Sequence, residues 1–274
     1  MMPAAEKILA RVTQNKSLGS YIIKLIPNNY QYSRGTIRFA TRNGINYKLH
    51  LQDYMDWLLF FGIKEKGRES LYQLVKKNDT VIDVGTNTGE VLMNFAVLTG
   101  NLGKVHGFEP DSVNHKRCTE NLKLNNFRNI QLNQAGLGDN SGKYNIKVNT
   151  QSNRGGNRIT RDHGENTEEI TVITLDEYVE NNSIPVVNVI KIDVEGFELN
   201  VLKGSENILN RLKPILFIEV DDNNLKEQGH SAKELIQFVQ EKGYKTVNAE
   251  TDKGVSASED FTNCHFDIIC SQEE

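Results

Sequence analysis

Four carboxylates, each standing where an apolar run gives way to a turn, are the side chains of this sequence best placed to do chemistry. Asp83 closes the run TVIDV at residues 80–84, Glu109 closes KVHGFE at 104–109, and Asp193 and Glu195 follow VVNVIKI at 186–192. Short apolar runs bounded by turn residues read as buried strands, and in an open α/β sheet ligands collect beyond the carboxyl ends of such strands. After Asp83 comes a turn bracketed by Gly85 and Gly89, with Thr86, Asn87 and Thr88 between them, and a helix opens from it. The glycines leave the turn without side-chain bulk, so a ligand can approach backbone N–H groups. A phosphate there would be repelled by Asp83, whereas an ammonium group, or the sulfonium-bearing methionine of S-adenosylmethionine, would be attracted.

Glu109 stands twenty residues beyond Gly89, at the tip of the next strand of the same strand–helix–strand unit. A carboxylate in that position can accept both hydroxyls of a ribose, through charge-assisted bonds worth roughly 1.5–3 kcal/mol each. Asp193 is placed to anchor the cofactor's ammonium or to orient an acceptor hydroxyl. Glu195 can serve as a general base if burial raises its pKa; its bland alternative is a helix-start carboxylate offsetting the dipole. Glu219, Asp221 and Asp222 end a further strand and should converge on the same place. Asp193, Asp221 or Asp222, and Asn223 would make an all-oxygen Mg²⁺ set, but acidic turns of this spacing are unspecific, and the reading carried forward is a metal-free site. His163, in a polar stretch with Arg154, Arg158 and Arg161, is either a contact over the site or part of a solvated loop. There is no G-x-S-x-G, no Cys/His arrangement and no G-x-x-x-x-G-K phosphate loop.

These residues need a scaffold, and from residue 80 onward strands and helices alternate. Strands are expected at 80–84, 104–109, 130–135, 187–193, 214–220, 243–249 and 265–270, and helices at 88–99, 111–126, 198–212 and 231–242. The strands are continuous apolar runs, as in a parallel sheet covered on both faces. The fold class is therefore α/β, a doubly wound, mostly parallel seven-stranded sheet. KYNIKVNT and EEITVITLDEYV interrupt the alternation as a strand pair, giving an insertion at about 143–178 whose polar middle, Gln151 to Thr167, would help cover the acceptor. Residues 1–70 read as an extension ahead of a domain at 71–274. It holds helical stretches at 4–16 and 18–26, a hairpin at 36–51 around Asn43-Gly44, and the apolar segment YMDWLLFFG at 54–62, a covering helix or a wall of the site. The hairpin could pair with a second subunit, so a homodimer is one expectation.

A hydrophobic fraction of 38% with 25% charged residues is that of an ordinary globular chain. The net charge of −4 gives no general attraction to nucleic acid or to an anionic membrane. Three cysteines without metal-ligand spacing, no apolar leader and no run long enough to span a bilayer lead to an expectation of a cytoplasmic protein.

The motifs VIDVGTNTGE, GFEP with Asn114 and Asn121 in the following helix, AGLGDNSG, TLDEY, IKIDVEGFELNVLKGSENIL and PILFIEV occur in order over about residues 60–270. In this the chain resembles the FkbM-type S-adenosylmethionine-dependent methyltransferases, within the Rossmann-like class I superfamily. The resemblance implies methyl transfer to a hydroxyl oxygen of a sugar, glycan or secondary metabolite. It implies a methionine cradle of Asp83, Gly85, Thr86, Asn87 and Gly89, a ribose contact at Glu109, an adenine border at Gln134 to Gly136 that includes Ala135, and Asp193 beside the transferring methyl. Thr86 and Thr88 stand where the family often has small or apolar residues. The rival readings are an RNA methyltransferase, which would want a basic stripe with stacking aromatics, a non-enzymatic cofactor-binding module on the same fold, and an NAD enzyme, which would want G-x-G-x-x-G rather than G-x-x-x-G.

Overall fold

A computed structural model of the chain describes residues 8–10, 13, 26–63, 65, 67–149, 154–160, 164 and 166–272. Of the helical stretches expected over residues 4–26, only residues 8–10, which are helical, and residues 13 and 26 are described; Arg161 and His163 lie outside the described residues. A hairpin of β1 (Ile37–Arg42) and β2 (Ile45–His50) turns through Asn43 and Gly44, both at positive φ, as a two-residue hairpin turn requires. The apolar segment that follows is helix α1 (Tyr54–Phe61), opened by Asp53, whose side chain accepts from the Met55 N–H. Helix α2 (Arg68–Leu74) leads into the main sheet.

Strand β3 (Thr80–Val84), helix α3 (Glu90–Thr99), strand β4 (Lys104–Phe108), helix α4 (Ser112–Leu122) and strand β5 (Ile130–Asn133) form one half of that sheet. A smaller four-stranded sheet of β6 (Gly136–Leu137), β7 (Gly142–Lys147), β8 (Arg158–Thr160) and β9 (Thr167–Ile173) is inserted next, ordered β6-β9-β7-β8. The chain returns through helix α5 (Leu175–Asn181), β10 (Val189–Ile192), α6 (Glu198–Lys203), α7 (Glu206–Arg211), β11 (Ile215–Asp221), α8 (Asp222–Glu227), α9 (Ala232–Glu241), β12 (Lys245–Asn248) and β13 (His265–Ser271). The main sheet is ordered β12-β13-β11-β10-β3-β4-β5, parallel except for β13, which runs antiparallel to both neighbours. The order reverses between β3 and β10, which makes their carboxyl ends the switch point.

Alternation within the strands explains the two covered faces. Ile82, Ile190, Ile192, Leu216 and Ile218 pack in one core with Leu235 and Ile236 of α9. Val81, Val105, Val189 and Phe217 pack in another with Leu71, Leu92 and Phe95. A third core joins Tyr47, Leu49, Trp57, Phe60 and Phe61 to Met93 of α3, seating hairpin and α1 on the sheet's flank. Among the described residues no helix is long and apolar enough to cross a membrane.

The seven expected strands are present, with ends displaced by up to two residues, and three local expectations are corrected. The second half of EEITVITLDEYV is not strand but α5, because Thr174 caps it by accepting from the Glu177 N–H at 3.1 Å, half of a capping box. The helix expected over 198–212 is two, broken at Gly204, where an added Cβ would stand 1.9 Å from the Gly138 carbonyl oxygen. The polar insertion contributes a strand of its own, β8, paired with β7.

The turn after β3 is equally constrained. Gly85 has φ +82°, and an added Cβ would lie 1.9 Å from the Asp193 carbonyl oxygen. Gly85→Ala should therefore cost at least about 2 kcal/mol of stability in urea denaturation; an unchanged midpoint would show that the β3 and β10 ends do not meet this closely.

Candidate active site

A cleft of about 280 Å³ opens at the carboxyl ends of β3, β4 and β10, and Gly85, Thr86, Asn87, Glu109, Asp193 and Glu195 lie on it. Asp83, Gly89 and Ala135 stand behind this surface, while Gly136 and Leu137, next to Ala135, are on it. An added Cβ at Gly89 would lie 2.6 Å from Cys118 Sγ, so this glycine admits helix α4 rather than lining the cleft.

Asp83 is fully buried, and its charge is met from inside the protein. Register pairs it with Lys191 on the neighbouring strand, so the two side chains leave the same face of the sheet. The Lys191 ammonium, itself only 2% exposed, lies 3.4 Å from Asp83 Oδ1 and 3.3 Å from Asp193 Oδ2. It also donates to the carbonyls of Gly85 at 2.9 Å and Val84 at 3.3 Å, where β3 leaves the sheet. Burial alone would lower the ammonium's pKa, but Asp193 and Asp83 reverse this and hold it above its usual value. Burial pushes the Asp83 carboxyl up, and Lys191 works against that rise. Two carboxylates and one ammonium leave a formal charge of −1, presented to the cleft by Asp193, whose side chain is 39% exposed.

Glu109 bolts the glycine turn to the next helix. Its Oε2 accepts from the Asn87 N–H at 2.7 Å and its Oε1 from the Asp111 N–H at 2.9 Å, leaving each oxygen a second lone pair. Burial raises its pKa to about 7 against these two bonds. Thr88, at the far end of the turn, donates to Asp56 of α1 at 3.1 Å, and Asp56 is ion-paired with Arg117 of α4. Tyr54 and Met55 of α1 border the cleft, so the apolar segment is both a covering helix and a wall.

Glu195 occupies the left-handed region at φ +56°, an uncommon conformation for a residue other than glycine. Its Oε2 accepts from Asn224 Nδ2 at 2.9 Å, and Arg158 of β8 stands 4.0 Å away. Burial, then Glu219 and Asp193, raise its carboxyl to about 8. The helix-start carboxylate is a different residue: Glu198 accepts from the Val194 and Gly196 N–H groups, both at 3.0 Å. Glu219 and His265 also reach the cleft, joined by a 3.1 Å hydrogen bond. Burial and Asp193 push Glu219 up, and the bond to Glu219 raises His265.

Two expected participants are engaged elsewhere. Asp221 caps α8, accepting from the Asn223 and Asn224 N–H groups, and Asp222 pairs with Lys226 and accepts from the Ala232 N–H. Among the described residues no group of three His, Cys, Asp or Glu side chains is arranged to hold a metal ion. The described part of the insertion reaches both the Glu109 side and the Glu195 side of the cleft. Arg154 and Asn157 bind Asp111 beside Glu109, while Arg158 extends to Asn224 and Glu195.

Sequence reasoning missed Lys191, Glu198, Asp111 and Asn157. Lys191 was the findable one, since a lysine inside a continuous buried run must meet a counter-charge. Asp111 carries no such local signal, because its ties to Arg154 and Asn157 span more than forty residues of chain.

A seven-stranded sheet of this order, with a glycine turn and acids at its switch point, defines a doubly wound α/β fold of the class I methyltransferase type. The family description "Methyltransferase FkbM domain" matches residues 83–246, and the chain belongs to that family. Over 146 residues it is 32% identical to the hexuronic acid methyltransferase AglP of Haloferax volcanii, an overlap of 53% of this chain and 58% of that protein. The chain thus spans under two thirds of that relative's length. Among solved structures, the methyltransferase FkbM of Methylobacillus flagellatus KT is similar at 18% identity with a TM-score of 0.45, over 78% of this chain and 52% of that one. M. jannaschii TYW2, solved with AdoMet, is similar at 12% identity with a TM-score of 0.47, over 88% and 87% of the two chains.

Lys191→Met should leave Asp83 as an uncompensated buried acid and destabilise the fold by about 3–5 kcal/mol. Because Asp83 must then be held protonated, its folded pKa rises further above the unfolded value. The variant's stability should fall as pH rises from 5.5 to 8, and adding Asp83→Asn should restore most of it. Denaturation at the two pH values decides this; equal losses at both, unrelieved by the second change, would remove the pair from this role.

Proposed function

We propose that the protein is an S-adenosylmethionine-dependent O-methyltransferase acting on a hydroxyl of a sugar or glycan. The observation that carries this reading is the Asp83–Lys191–Asp193 triad, whose net negative charge is offered to the cleft beside a glycine turn that Glu109 holds in place. A cationic ligand head is attracted to Asp193, and the free lone pairs of Glu109 suit ribose hydroxyls. Asn87, whose buried Oδ1 has no partner among the described residues, adds an acceptor for the same ligand. When bound, the sulfonium supplies a methyl group already activated for displacement.

The chain's own residues then align the acceptor and take its proton. Glu195, at about 8 in the folded protein, is a base matched to mildly alkaline conditions, and Asp193 orients the hydroxyl. The sugar class is carried over from the relative named for a hexuronic acid. The acids at the cleft favour a neutral hydroxyl as the reacting group over a carboxylate, which would be repelled and needs no base.

Calorimetric titration with S-adenosylmethionine should give saturable binding, weakened at least tenfold by Asp193→Ala and by Glu109→Ala, with NAD inert. Binding of the same strength in both variants would sink the cofactor assignment. With sugar acceptors offered as hydroxyl and as uronate forms, kcat on the hydroxyl should rise with pH through about 8, and Glu195→Gln should flatten that profile. A preference for the uronate with a flat wild-type profile would replace hydroxyl methylation by ester formation.

A further inference from the structure

Asn114 has a buried amide that the fold alone does not satisfy. It stands in the first turn of α4 with its side chain 2% exposed, and its backbone N–H is held by Asp111 Oδ1 at 2.7 Å. Its Nδ2 donates to the Arg154 carbonyl oxygen at 3.1 Å. Only the nitrogen side of an amide can pair with a carbonyl, so this bond determines which way round the group sits. The oxygen, Oδ1, is then turned the other way and finds no partner among the described residues. A buried acceptor left unpaired is costly, and in native proteins it calls for an explanation.

The position supplies one. Asn114 borders the cleft together with Glu109, Pro110, Ile146 and Ile159. The last three offer apolar surface to a flat ring, and Glu109 is tied to Asn114 through one intervening residue: Asp111 donates to Glu109 Oε1 at 2.9 Å and accepts from the Asn114 N–H. Asp111, fully buried, is in turn held by Arg154 Nη2 at 2.6 Å and Asn157 Nδ2 at 3.1 Å, so the amide's surroundings are rigid before any ligand arrives.

We propose that Asn114 is a specificity-determining residue for the nucleoside half of the cofactor, its Oδ1 accepting from the exocyclic amino group of a 6-aminopurine. The inference rests on the cofactor reading above and adds to it the residue that tells an amino purine from an oxo purine. A purine with a carbonyl in place of the amino group would set oxygen against oxygen at Asn114.

The test compares the affinities of S-adenosylhomocysteine and S-inosylhomocysteine for the wild-type chain, Asn114→Ala and Asn114→Leu, by calorimetry. The wild type should prefer the adenosyl ligand about tenfold. Both variants should bring the ratio near one, chiefly by weakening the adenosyl ligand. Each ratio is measured on one protein preparation, so a loss of folded fraction cancels from it. A wild type that binds both ligands equally, or variants that keep the preference, would overturn the assignment while leaving the cofactor reading intact. A wild type that binds neither ligand would overturn both.

Discussion

The ammonium of Lys191 is the interaction on which the rest of the site depends. A carboxylate enclosed in an apolar sheet needs a paired charge close by, because water cannot reach it to offset its desolvation. Parallel register supplies that charge by setting Lys191 beside Asp83 on adjacent strands. The same ammonium also takes the carbonyls of Val84 and Gly85 and the carboxylate of Asp193. One group thereby holds the buried acid, the point where β3 leaves the ladder, and the acid that faces the cleft. The close passage of the Asp193 carbonyl over Gly85 is the geometric counterpart of that convergence.

The two ends of the cleft are built differently. Around Glu109 the polar groups are buried and bonded to one another, with Asn87, Asp111 and Arg154 in a connected set. Such a set pre-organises donors and acceptors before a ligand binds. Around Glu195 the groups are partly exposed acids that burial and mutual repulsion keep at raised pKa values. Glu195 also sits in a left-handed conformation, and backbone strain of this kind concentrates at functional sites. On the proposed function, the rigid end suits a constant cofactor and the titratable end an acceptor that must lose a proton. The small inserted sheet touches both ends through Arg154 and Arg158.

Local pattern made most of the main sheet legible. Continuous apolar runs mark β3, β10 and β11 because both faces of those strands are covered, and the Asn43-Gly44 pair marks the hairpin because few other residues adopt its turn. The misreadings occurred where a local rule competed with another. Thr174 and Glu177 cap a helix inside what alternation presents as a strand, and the breadth of the helical pattern over 198–212 hides the backbone crossing at Gly204. The acids of the site were recognisable as strand-end residues, but their division of labour was not. Glu198, rather than Glu195, steadies the helix start, and Asp221 and Asp222 serve α8 instead of the cleft.

By itself, then, the sequence determined the layered α/β architecture, the glycine turn, the family and the four carboxylates, because each is written in residue types within a few positions of one another. The tertiary structure alone decided which charge Asp83 meets, which atoms Glu109 already holds, and that the insertion clasps Asp111 as well as reaching Glu195. Those outcomes depend on strand register and on contacts between segments separated by tens of residues. Coulombic and hydrogen-bond energies depend on distance in space, which spacing along the chain does not specify.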